Sequence, residues 1–227
     1  MPGVEINLEY ERVTMDMLGY FLGGRPSAEL KAELAELRLY RDERNGRILE
    51  RLAELGYPLE PDALAAAAKN GAVGRPHIGE ALVRRGYAGS ITEAFERFLR
   101  RGAPAWVDRR RLSLGAGMRL LRASGGLPVL AHPGIIRTDA AGLEHIVRDA
   151  ARLGMAGIEC YYPLHDEATV AHCLALADKY ALVPTGGSDF HGSVKPDAHL
   201  GIGSAGLPLP DELLADLECL AVDELRR

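Results

Sequence analysis

Asp189 and His191 stand two residues apart in Ser188-Asp189-Phe190-His191, flanked by Gly186-Gly187 and Gly192 and preceded by the apolar run Ala181-Leu182-Val183-Pro184. A carboxylate and an imidazole so spaced at the mouth of a strand can both face one metal ion. The small neighbours leave room for backbone and substrate to approach. Read alone, Ser-Asp is also a turn or a helix cap and His191 a loop residue, but a plain turn needs one glycine rather than three. Val129-Leu130-Ala131-His132-Pro133-Gly134 repeats the pattern, an apolar strand that delivers an imidazole at its end. His132 is there either a metal ligand or a satisfied histidine in a strand-end turn.

Glu5 lies in the apolar strand Val4-Glu5-Ile6. In a closed barrel its carboxylate points inward and needs a cation or a proton to offset desolvation; on an edge strand it faces water. Asp16, within Met15-Asp16-Met17-Leu18, poses the same question. Arg75-Pro76-His77 opens a helix. Proline at the first helical position leaves backbone N–H groups of that turn for an anion, and Arg75 and His77 add charged donors; the bland alternative is a helix start with solvated flanks. Arg137, after the His132 loop, is a weaker anion-binding candidate. His145, His172 and His199 read as structural residues without partners, His165 as a cap-region residue, and Arg109-Arg110-Arg111 as a solvated face.

These side chains need a scaffold, and the pattern supplies one. Residues 3–10 and 13–21 read as extended segments, and Gly23-Gly24-Arg25-Pro26 breaks them. Ser27 is a candidate cap for a helix reaching Gly56, followed by short helical pieces at 61–69, 76–85 and 91–101. Strands at 127–131, 157–160 and 181–185 then alternate with helices at 113–123, 140–153 and 166–180, and a last helix starts near Pro210. Such alternation predicts an α/β fold with a parallel sheet or barrel, and in barrels chemistry sits at the C-terminal strand ends. His132, Glu159, Asp189 and His191 all fall at or just beyond such ends. The helix-rich stretch 26–105 reads as a subdomain inserted into a barrel made of 1–25 and 106–227.

With 227 residues, 47% of them hydrophobic and 26% charged, the chain can bury a full core. A net charge of −5 excludes a field that gathers nucleic acid over a whole face, so an anionic substrate must be held by local Arg, His or metal. Three cysteines without CxxC spacing read as free buried thiols in a reducing cytoplasm. No apolar run reaches the ~18 residues of a membrane span, and no signal pattern opens the chain. The expectation is a cytoplasmic protein with no membrane association and no stable protein partner.

Pro-Gly-Val-Glu-Ile at 2–6, Leu-Gly-Tyr-Phe at 18–21, Arg-Pro-His at 75–77, Ala-His-Pro-Gly at 131–134 and Gly-Ser-Asp-Phe-His at 187–191 occur in this order. Together they resemble the polymerase and histidinol phosphatase (PHP) family, in its TrpH/YciV-like branch of metal-dependent phosphoesterases. The resemblance implies a distorted (β/α)7 TIM-like barrel with an inserted helical subdomain, and two or three divalent metal ions, often manganese. It also implies hydrolysis of phosphate esters of nucleotides or short oligonucleotides, of the 3′,5′-bisphosphate nucleotidase or 5′–3′ exonuclease type. Under it Glu5 matches a carboxylate bridging two metals, and Asp16 stands as an oxygen donor where many relatives have a His ligand. His132 matches a ligand of the second metal, Asp189 of the first and His191 of the third; Glu5, Asp189 and His191 are the catalytic set. Arg75 and His77 match positions of substrate contact.

Family members begin with a His-x-His strand and a later Asp-His pair, and nothing of this kind precedes Pro2. At ~30 residues per βαβ-type unit, about two units, on the order of 60 residues, are expected to be absent. An N-terminally truncated barrel and a start assigned at an internal codon are therefore expected, with fewer metals held. The alternatives are a catalytically inactive remnant acting as a binding protein, or a small-metabolite phosphatase such as a histidinol phosphatase.

Overall fold

Apolar–polar alternation over residues 4–9 and 13–17, with two residues between the segments, builds a β-hairpin. In a computed structural model, which describes residues 2–22, 25–61, 64, 73–191 and 198–225, β1 (Gly3–Tyr10) pairs antiparallel with β2 (Val13–Tyr20). The two-residue turn holds Glu11 and Arg12 at φ 48° and 68°, the positive values that let a tight turn follow the strand twist. β2 then pairs antiparallel with β4 (Leu127–Leu130), while β4, β5 (Gly157–Tyr161) and β6 (Val183–Gly186) run parallel. The short β3 (Leu112–Ser113) lies parallel beside β1, giving one mixed six-stranded sheet in the order β3-β1-β2-β4-β5-β6. The all-parallel expectation fails at β2, because a two-residue connection can only reverse the chain.

The helices between the parallel strands start where short polar side chains cap them. α4 (Leu114–Ala123), α5 (Ala140–Arg152) and α6 (Glu167–Lys179) begin after Ser113, Asp139 and Asp166, whose oxygens accept the Ala116, Gly142 and Thr169 N–H groups. α7 (Glu212–Leu225) closes the chain. On one face of the hairpin, Ile6, Leu8, Met15 and Met17 are buried, and α4 covers them. Its Gly117 sits against Leu8, and its Leu121 against Gly19. The other face carries Glu5, Asn7 and Glu9 opposite Leu18, Asp16 and Thr14. Lower on that face Leu18, Tyr20 and Val129 pack with Leu217 and Ala221 of α7.

Gly157 marks a close approach. An alanine Cβ there would lie 2.6 Å from the Val183 carbonyl oxygen, a backbone atom of the neighbouring strand. Gly157→Ala should therefore cost about 1–3 kcal/mol, the usual range for overpacking. Urea melts check this, and an unchanged midpoint would exclude so tight a contact.

The chain divides into two compact units, 1–31 with 111–227, and 32–110. The second unit is helical. It contains most of α1 (Ala28–Glu54), together with α2 (Arg75–Arg84) and α3 (Ile91–Ala94), which passes into a π-turn at Phe95–Leu99. The single helix expected over 91–101 thus changes its hydrogen-bond pattern at Phe95, where the Arg100 N–H reaches back to the Phe95 carbonyl. Its core holds Ile48, Leu52, Ile78, Leu82, Phe98 and Leu99. The break at Gly23-Gly24 and most of the helix expected over 61–69 lie outside the described residues. Cys160 and Cys173 are buried, whereas Cys219 is exposed, against the expectation of three buried thiols, because it lies on the outer side of α7. Among the described residues no helix is long and apolar enough to cross a membrane.

Candidate metal centre

The hairpin register brings two carboxylates to one face, and the end of β4 adds an imidazole. Asp16 lies directly across from Asn7, so Glu5 is its diagonal neighbour. The Ala131 N–H donates to the Asp16 carbonyl at 3.0 Å, which sets His132 beside Asp16. His132 Nε2 is 3.2 Å from Glu5 Oε1 and 4.0 Å from Asp16 Oδ2. One donor atom from each of the three residues lies within 4.8 Å of the others, a set that could hold a metal ion. Two carboxylate oxygens and one imidazole nitrogen suit manganese, iron or zinc. The three residues fit a divalent ion by donor chemistry and spacing.

Asn7 orients Asp16. Its amide nitrogen donates to Asp16 Oδ1 at 2.6 Å, while its oxygen accepts the Arg111 Nε–H at 3.0 Å, so the guanidinium dictates which end of the amide faces the carboxylate. Arg111 is therefore not part of a solvated basic run. Pairing of β3 with β1 draws it inward, where it also lies 3.5 Å from Glu9.

Charge in the centre is negative and half-buried. Burial works against the His132 imidazolium, but the Glu5 hydrogen bond and the charges of Glu159, Asp16 and Glu5 outweigh it and raise its pKa. Glu159 is 4% exposed, and its Oε2 accepts the His132 backbone N–H at 2.7 Å. Burial, helped by the charges of Glu5 and Asp189, pushes the Glu159 carboxyl up to about 7, although the His132 N–H and charge oppose this.

Asp189 and His191 form a second group. His191 Nδ1 lies 3.0 Å from Asp189 Oδ1 and 2.7 Å from the Asp189 carbonyl, and the Tyr162 hydroxyl donates to Asp189 Oδ2 at 3.3 Å. Burial and the neighbouring Asp189 push the Tyr162 phenol up to about 12, so it stays a donor. Neither Asp189 nor His191 belongs to the three-residue cluster found among the described residues.

The remaining candidates have other settings. Arg137 is exposed on the loop after His132. Arg75 donates to the Leu99 carbonyl at 3.1 Å and so ties α2 to the end of the π-turn, while His77 Nδ1 accepts the Gly74 N–H at 3.0 Å at the start of α2, both within the helical unit. His165 joins β5 to the turn after His132. Its Nε2 accepts the Gly134 N–H at 3.0 Å and its Nδ1 lies 2.8 Å from the Cys160 carbonyl, a pairing that fits the neutral ring, whose pKa burial lowers. His145 has partners after all, in Tyr10 at 3.1 Å and Arg148 at 2.7 Å. Asn7, Arg111 and Tyr162 are the site residues that sequence reasoning missed. For Asn7 a signal existed, since it is two residues from Glu5 on an alternating strand.

Fold and site together define a mixed α/β protein with a candidate divalent-metal centre on one face of its sheet. No protein-family model matches the chain. It is 31% identical over 195 residues to the 5′-3′ exoribonuclease Rnm of Escherichia coli K12, covering 84% of this chain and 65% of that protein. It is 32% identical over 155 residues to phosphoribosyl 1,2-cyclic phosphate 1,2-diphosphodiesterase of Eggerthella lenta, covering 67% and 57%. To the 3′,5′-nucleoside bisphosphate phosphatase of Chromobacterium violaceum it is 28% identical over 200 residues, covering 84% and 67%. Among solved structures, a candidate metal-dependent phosphoesterase from Bifidobacterium adolescentis superposes with a TM-score of 0.80 at 26% identity, covering 99% of this chain and 78% of that one. These likenesses support a metal-dependent phosphoesterase family. The chain spans less than two thirds of the first two relatives, 65% and 57% of their lengths.

Proposed function

We propose that this protein is a metal-dependent phosphoesterase that hydrolyses phosphate esters of nucleotides or short oligonucleotides, of the 3′,5′-bisphosphate nucleotidase or 5′–3′ exonuclease type. The observation that carries this reading is the convergence of Glu5, Asp16 and His132, with one donor atom of each inside 4.8 Å. Relatives named for ribonuclease, cyclic phosphodiesterase and nucleotide phosphatase activity support it. The finer reading is a PHP-type (β/α)7 barrel of the TrpH/YciV-like branch, using manganese in the cytoplasm.

In this reading Glu5, Asp16 and His132 hold one ion, and Asp189 and His191 supply ligands from the β6 loop. Divalent ions, when bound, lower the pKa of water and neutralise phosphoryl oxygens. Asn7 keeps one Asp16 oxygen occupied and leaves the other turned toward His132. Tyr162 restrains Asp189. Arg137, Arg75 and His77 are proposed as phosphate-binding residues on their chemistry alone.

The test is phosphate release from a nucleoside 3′,5′-bisphosphate and from a short 5′-phosphorylated RNA. Metal-stripped protein would be assayed with Mn²⁺ and with excess chelator, both as the 227-residue chain and as a chain extended upstream in frame. Release that needs Mn²⁺ is expected. Failure of both chains on every ester would end this reading.

A further inference from the structure

Glu159 has no part in the chemistry above, yet it is the most deeply buried carboxylate near the centre, at 4% exposure. We infer that Glu159 is the positioning residue for His132, anchoring the His132 N–H so that the imidazole faces Glu5 and Asp16. The inference rests on the reading of those three residues as a metal centre.

His132 has φ 30° and ψ 58°, left-handed values that a residue with a side chain adopts at a cost of about 1–3 kcal/mol. Pro133 follows, and a residue before proline is pushed toward extended backbone, so the turn is strained from both sides. Something must over-determine it. The His132 side chain contributes one hydrogen bond, from Nε2 to the half-exposed Glu5, while its Nδ1 is buried without a partner, so the ring alone does not fix the backbone. The backbone N–H does, through its 2.7 Å bond to Glu159 Oε2. One residue beyond Pro133, the Gly134 N–H is fixed by His165, so the turn is held at both ends from the segment 159–165. The β6 loop contributes by omission. A Cβ at Gly187 would overlap Glu159 Oε1, so only glycine there leaves the carboxylate its place. With Oε2 committed to an N–H, and with Glu159 outside the cluster of three, its role is to hold a ligand rather than to be one.

The test compares Glu159→Gln, which keeps an oxygen acceptor, with Glu159→Leu, which removes it, and with Gly187→Ala, which displaces the carboxylate from the opposite side. Two measurements are made on the full chain: hydrogen exchange of the His132 amide without metal, and Mn²⁺ affinity by calorimetry. The amide should be protected in wild type and Glu159→Gln, and should exchange about tenfold faster in Glu159→Leu and Gly187→Ala, as loss of one hydrogen bond implies. The Mn²⁺ dissociation constant should rise roughly 10–100-fold in those two variants and stay within about threefold in Glu159→Gln. Should Glu159→Leu misfold, Gly187→Ala still reads the same carboxylate. Unchanged amide protection in Gly187→Ala and Glu159→Leu would overturn the inference. So would a Glu159→Gln protein that keeps the amide protected but loses Mn²⁺, because the charge would then be the ligand. A wild type that takes up no Mn²⁺ defeats the metal-centre reading, while amide exchange still decides what Glu159 holds.

Discussion

Alanine at His132 is expected to abolish the Mn²⁺-dependent phosphate release proposed for this chain. His132 contributes the one nitrogen donor of the described cluster, with Nε2 3.2 Å from Glu5 and 4.0 Å from Asp16. Without it two half-exposed carboxylates remain to hold the ion, and the ion's charge stabilisation of the reacting phosphate goes with the ion. That stabilisation is worth several kcal/mol, and at about 1.4 kcal/mol per tenfold the loss in kcat/KM is on the order of 10³-fold or more. Phosphate release measured across a Mn²⁺ titration checks it. A His132→Ala protein within tenfold of wild type at every concentration would remove His132 from the centre.

The second large effect is on stability, and it appears in the metal-free protein. Burial first, then the charges of Glu5 and Asp189, carry the Glu159 carboxyl from its ordinary 4.5 to about 7. His132 is raised as well, because the Glu5 hydrogen bond and nearby carboxylates overcome the opposing effect of burial. Both groups therefore keep protons in the folded chain that the unfolded chain has already released. The stability this confers is fully present below the unfolded carboxyl value and is lost as pH rises through about 7 and on through the raised His132 value. For the Glu159–His132 pair the change is on the order of a few kcal/mol. A divalent ion takes over the role of those protons, so added Mn²⁺ should stabilise most where the metal-free protein is weakest, above neutral pH. Urea melts from about pH 5 to pH 8.5, with and without Mn²⁺, test this. Metal-free stability that stays level or climbs over that range would contradict it.

Much of the scaffold was legible because its causes are local. Ser27, Ser113 and Asp166 announce helix starts, and each accepts the backbone N–H expected of a cap. The runs before His132 and Ser188 read as buried strands because apolar side chains continue on both faces. The direction of β2 was legible but not read. Glu11-Arg12 lacks the Asn-Gly type of turn signal, and the two-residue gap between the segments, which does imply a reversal, was not used to set the register that places Asp16 opposite Asn7. Arg111 was misread for a related reason. A run of three arginines looks solvated in sequence, and it took the pairing of β3 with β1 to bring the last of them onto Asn7.

The order of side-chain types along the chain was enough to nominate Glu5, Asp16 and His132, because a charged or imidazole group in an apolar strand must find a partner wherever the strand ends up. Which partner was a matter for the assembled sheet. Cross-strand register, the left-handed turn at His132 and the Glu159 carboxylate beneath it bring together residues up to 127 positions apart, His132 and Glu5. Hydrogen bonds and charges act over a few ångströms of space, and separation along the chain does not encode that distance until the backbone has closed.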